Sequence, residues 1–195
     1  MRTIHRVYDS YAQAREAVRA LEAAGVPSKD ISLVANKYVS AEYEEVDEVS
    51  GAATGAGIGG ALGGGAGLLA GLGLLAIPGL GPVVAAGWLA ATAVGAAAGA
   101  ATGGIVGALV DAGIPKEHAD VYSESIRRGG TLVTARVTDQ EAVRLEAMLD
   151  RYDPIDPAER GRLYRKEGWA SFDPKAPPYR PNETDIERIR RDWAA

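Results

Sequence analysis

No cysteine occurs in the 195-residue chain, which excludes a disulfide framework, thiol chemistry and cysteine-ligated metals. Aromatic residues are scarce at 6%, although 47% of the chain is hydrophobic and 25 residues are glycine. The apolar content is therefore mostly alanine and small aliphatics, which suits close backbone packing. Histidine appears only as His5 and His118, with no H-E-x-x-H or comparable cluster, so no metal site is expected and both rings read as surface or packing groups. Excess positive charge is also missing. A formal net charge of -5 gives no electrostatic footprint for nucleic acid. The opening stretch MRTIHRVYDS has no apolar signal core, and a cytoplasmic location is the expectation.

Charge is absent altogether from one long interval. After the acidic run Glu42 to Glu48, no charged residue appears until Asp111. Within that interval glycine recurs every four positions, at Gly51, Gly55, Gly59, Gly63, Gly67 and Gly71, and again as Gly87, Ala91, Gly95, Gly99, Gly103 and Gly107. Each interior glycine costs a helix about 1 kcal/mol against alanine, a loss that close helix contact along small residues four apart can offset. Pro78, Gly79, Gly81 and Pro82 break the run, so the spacing predicts a glycine-zipper helical hairpin over residues 49–110 with its turn at those four positions. Residues four apart rotate by about 400°, and the stripe drifts around a straight helix. More than one neighbour is needed to cover it, which points to a homo-oligomer or polymer.

The flanks read as α+β. TIHRVY and ISLVA are strand candidates around the helical SYAQAREAVRALEAAG; TLVTARV follows the helix candidate in IPKEHADVYSESIRRGG and precedes TDQEAVRLEAMLDRY, where Thr138 and Glu141 make a capping-box pattern. PIDP is a candidate fourth strand. Two strand–helix–strand units in tandem predict a ferredoxin-like split βαβ sandwich, its helices on one face. Residues 1–48 form the first half, residues 111–156 a helix plus the second half, with the hairpin inserted between. Residues 157–195 read as an extended tail ending in a short helix after Asn182. Its Trp169, Phe172, Tyr179 and Trp193 are expected to dock on a neighbouring subunit.

Enzyme chemistry finds no support in the motifs. Gly55, Gly57 and Gly60 satisfy G-x-G-x-x-G, yet an acidic run precedes them instead of an apolar strand, and no acid follows at the required distance. No GK[ST] follows a glycine loop. The chain is read as noncatalytic, with no cofactor and no catalytic residue. The acidic run is read as carboxylates favouring a helix N-terminus and keeping the adjoining apolar segment soluble.

The succession VYDSYAQAREAVRALEAAGVPSKDISLVA, the LAIPGLGPVVAAG turn between glycine repeats, GIPKEHADVYSESIRRGGTLVTARV and EGWASFDPKAPPY resembles bacterial general stress proteins of the YflT-like type. The resemblance implies a role in stress or dormancy and carries no catalytic residues. Together these readings give a stress-associated protein that partners itself and no nucleic acid. The alternative is a hairpin membrane protein, inner-membrane associated through lipid contact, with a cytoplasmic globular domain. The interval is long enough to cross a bilayer, but its flanks are acidic and lack lysine and arginine.

Overall fold

The computed structural model describes residues 1–36, 73–77, 81–86, 104–177, 182–184 and 186–187. These residues form a mixed α+β structure around an antiparallel sheet. In chain order the elements are β1 (Arg2–Tyr8), α1 (Tyr11–Ala23), β2 (Ile31–Asn36), β3 (Gly73–Ile77), β4 (Gly81–Ala86), α2 (Gly104–Asp111), α3 (Lys116–Arg127), β5 (Thr131–Val137), α4 (Asp139–Leu149) and α5 (Pro157–Lys166). The strands lie in the order β1-β5-β2-β4-β3. β5 lies between β1 and β2, placing Ala135 opposite Ile4 on one side and Ile31 on the other.

Alternation along the strands builds a core on each face of the sheet. Ile4 and Tyr8 of β1, Leu33 of β2 and Val133 of β5 join Ala14, Val18 and Leu21 of α1 and Leu145 and Leu149 of α4. The intervening Val7, Val34 and Leu132 join Ile105 and Leu109 of α2 and Ala119, Tyr122 and Ile126 of α3. Every residue of β2 is buried, as a strand covered on both faces must be. Helices thus cover both faces, where the sequence suggested one.

Local signals set the helix ends. Ser10 and Gln13 form a reciprocal capping box at the start of α1. Thr138 and Glu141 do not; the Thr138 hydroxyl donates to the Glu141 carboxylate at 2.7 Å, and no side chain caps the backbone of α4. Gly25 and Gly129, with φ of +94° and +105°, turn the chain beyond α1 and α3 in the left-handed region that side chains disfavour.

Three further sequence expectations need correction. Residues 73–77 and 81–86, assigned above to the arms and turn of a helical hairpin, are strands: β4 pairs with β2, placing Ala86 opposite Leu33, and β3 pairs with β4, placing Ile77 opposite Gly81. Short apolar runs bounded by glycine and proline fit strand or helix equally well by pattern, and the side of β2 away from β5 offers unpaired backbone groups that β4 satisfies. The proposed fourth strand at PIDP makes one backbone bond beside β1, from Ile155 N–H to the Val7 carbonyl at 2.8 Å. Pro154 and Pro157 have no N–H with which to extend a ladder. Finally, the tail opens with a helix. Asp156 caps α5 by accepting the Glu159 N–H at 2.7 Å, and Pro157 sits in its first turn. Among the described residues, no helix is long and apolar enough to cross a membrane.

Candidate functional site

Of the sequence-predicted stripe, Gly51, Gly55, Gly59, Gly63, Gly67, Gly71, Gly87, Ala91, Gly95, Gly99 and Gly103 lie outside the described residues, as do Pro78, Gly79, Tyr179 and Trp193. Gly107 lies in α2, where a Cβ would meet nothing within 4 Å among the described residues. Gly81 and Pro82 belong to β4. Phe172 is 9% exposed and belongs to the core cluster of its own chain, so its expected docking on a neighbouring subunit is corrected to docking within the chain.

The fold brings together two groups that the sequence left apart. His5 of β1 and His118 of α3 flank Tyr122, with ring centroids 5.6 and 6.3 Å from it. These rings join Arg6, Asp150, Asp153 and Asp156 around an open cleft of about 480 Å³. Beneath α3, His5 stands opposite Thr134, which stands opposite Ser32, giving a polar row across three strands. Burial, followed by the charges of Arg6, His118 and Arg2, pulls His5 down to about 4, so its ring is neutral at neutral pH. Its Nδ1 and the Thr134 hydroxyl are buried without hydrogen-bond partners among the described residues. Burial pushes the Tyr122 hydroxyl up to about 12. Arg6 is committed to Asp150, its Nε 2.6 Å from Oδ1. A weakly basic imidazole and a protonated phenol offer hydrogen bonds, not a general base poised near neutral pH. Among the described residues, no three His, Asp or Glu side chains converge to hold a metal.

The second constellation joins the C-terminal segment to α3. Glu124, 1% exposed, accepts from Arg127 Nε at 2.9 Å and from Arg128 Nε at 2.6 Å. Burial acts to raise its carboxyl, and the two arginines more than reverse this, holding it below the ordinary value. Each arginine also reaches beyond the helix. Arg128 Nη1 lies 2.6 Å from Glu167 Oε2, and its guanidinium sits 4.1 Å above the Tyr164 ring. Arg127 Nη1 donates to the Pro177 carbonyl at 3.1 Å, while its own carbonyl accepts from Asn36, the last residue of β2.

Between Glu167 and Pro177 the chain is anchored by aromatics. Trp169 meets Tyr164 edge-on at 5.7 Å, and the Tyr164 hydroxyl lies 3.2 Å from Ser125 Oγ. Phe172 burial is worth about 1.5–3 kcal/mol, whereas the half-exposed Arg128–Glu167 pair contributes about 1 kcal/mol at most. The segment is therefore held chiefly by its aromatic anchors. The spacing of Glu124, Arg127 and Arg128 is the i,i+3 and i,i+4 signal that could have located the helical part of this network in the sequence.

No family model matches the chain, and neither a curated protein nor a solved structure matches it.

Proposed function

We propose that this is a noncatalytic, stress-associated protein that self-assembles through its glycine-repeat segment, carried on a ferredoxin-like core. The observation that carries this reading is the four-residue repeat itself, set between elements that anchor both ends of each run. Residues 37–72 run from β2 to β3, and residues 87–103 from β4 to α2. Each run is bounded in sequence by elements of the domain, and each carries small residues at the spacing that permits close helix contact. The order β1-β5-β2, with α1 following β1 and α4 following β5, supports the ferredoxin-like reading, with β3, β4, α2 and α3 as the insertion. The resemblance to YflT-like stress proteins supplies the stress context.

A membrane hairpin is the second reading, favoured by the lack of charge between Glu48 and Asp111. Against it stands β4, whose pairing with β2 sets the middle of that interval in the domain's own sheet. A hairpin crossing a bilayer needs its tip on the far side. Electron microscopy of the purified full chain without detergent, beside density-gradient flotation of gently lysed cells, tests the choice. Discrete particles or filaments in the dense, detergent-independent fraction support self-assembly. Monomers alone contradict it, and a band that floats with lipid and resists alkaline wash establishes the membrane reading.

A further inference from the structure

We propose that the cleft between β1, α3 and the turn at residues 153–157 binds a small alkylammonium ion, which donates to the Tyr122 hydroxyl and to the carboxylates of Asp153 and Asp156. The site belongs to the domain itself and does not rest on the reading of the glycine repeat.

Tyr122 points to a ligand because its two ends differ. The residue is 3% exposed, and its ring packs in the core cluster with Val7 and Leu132 of the sheet. Its hydroxyl, however, has no hydrogen-bond partner among the described residues. Tyr8, also buried, donates its hydroxyl to the Leu149 carbonyl, as a buried phenol normally does. The charges acting on the Tyr122 hydroxyl are those of Arg6, Asp156 and Asp150, and all three line the cleft with it. The hydroxyl is therefore aimed into the cleft, where a bound donor completes its hydrogen bonding.

Charge decides the class of ligand. The lining holds three carboxylates, of Asp150, Asp153 and Asp156, and one guanidinium, that of Arg6. Arg6 and Asp150 satisfy each other through two bonds, Nε to Oδ1 at 2.6 Å and Nη2 to Oδ2 at 3.2 Å, while Arg6 Nη1 donates to the His5 carbonyl at 2.8 Å. Asp153 is exposed and makes no hydrogen bond or ion pair among the described residues. Asp156 uses one oxygen on the Glu159 N–H. The two carboxylates left without a cation attract positive charge and repel anions. Because no three His, Asp or Glu side chains converge among the described residues, that charge is an organic cation held by hydrogen bonds and ring faces, not a metal ion.

The walls suit an alkyl chain. The His5 and His118 rings are inclined at 68° and 49° to Tyr122, and Pro154, Ile155 and Pro157 complete the lining. Aromatic faces favour an ammonium head, and the prolines and isoleucine meet its methylenes. Burial keeps the His5 ring uncharged at neutral pH, so it does not repel the ligand. A volume of about 480 Å³ is that of a small-molecule site.

Isothermal titration calorimetry of the full chain at neutral pH and low salt tests the site, with putrescine as the ammonium probe and inorganic phosphate as the anion probe. Putrescine should bind once per chain, and Tyr122→Phe and Asp153→Asn should each weaken it by about tenfold. Phenylalanine keeps the buried ring, and asparagine tolerates the left-handed backbone of Asp153, φ +54°, so circular dichroism should show both variants folded. Glu44→Gln combined with Glu45→Gln, in the acidic run, controls for general attraction to negative charge and should leave the affinity unchanged. Absence of saturable putrescine binding, unchanged affinity in either cleft variant, an equal loss in the acidic-run variant, or tighter binding of phosphate than of putrescine would each overturn the site.

Discussion

Gly161 of α5 lies against Val121 of α3 so closely that a Cβ at position 161 would stand 3.0 Å from Val121 Cγ2. Gly107 of α2 is also helical, but a Cβ there would meet nothing within 4 Å among the described residues. The two glycines should respond to alanine with opposite signs. Gly107→Ala gains helix propensity and should stabilise by about 0.5–1 kcal/mol. Gly161→Ala must displace Val121 and should destabilise by about 1–3 kcal/mol. Urea unfolding followed by circular dichroism measures both.

His5 should make stability fall on mild acidification. Its folded value of about 4 lies below the ordinary 6.5, so as pH drops below 6.5 the unfolded chain takes up the proton first. Stability contributed by the neutral ring is fully present above 6.5 and is lost progressively toward pH 4, by about 3 kcal/mol at most. His5→Phe should flatten this part of the profile. Urea midpoints from pH 7 to 4 provide the check; an unchanged slope in the variant would assign it to another group.

Glu124 acts in a lower window. Against the effect of burial, its hydrogen bonds to Arg127 and Arg128 depress its folded value below the ordinary 4.5, so its contribution is present above 4.5 and is lost as pH falls through the folded value. Glu124→Gln removes the buried charge between Arg127 and Arg128 and should cost about 3 kcal/mol at pH 7. It should also weaken the pH dependence below 4.5. Denaturant titrations at pH 7 and 3 should show a larger loss at the higher pH.

Much of the α+β domain was legible because its signals are local and periodic. Ala14, Ala17, Val18 and Leu21 mark the buried face of α1, and the strand candidates ISLVA and TLVTARV correspond to β2 and β5. GLLAI and GPVVAA were ambiguous because they are short and apolar throughout; the long-range pairing of GPVVAA with β2, and of GLLAI with GPVVAA in turn, made them strands. α5 did carry a local signal, Asp156, Pro157 and Glu159 in cap, first-turn and third positions, but the surrounding prolines suggested extended chain. The His5–Tyr122–His118 cluster had no sequence signature, since β1 and α3 meet only through the fold. Phe172 was legible as an anchor but its partner was not, because nothing in spacing separates docking within a chain from docking between chains.

The central claim is that the glycine repeat drives self-association, and light scattering of the full chain beside Gly63→Leu and Gly99→Leu tests it most directly. Leucine raises both helix propensity and hydrophobicity, so a segment stabilised by general apolar burial would assemble equally well or better. Close packing along a small-residue stripe predicts the reverse: both leucine variants fall to smaller species, with alanine at the same positions milder. Unchanged assembly size in both leucine variants would contradict the account.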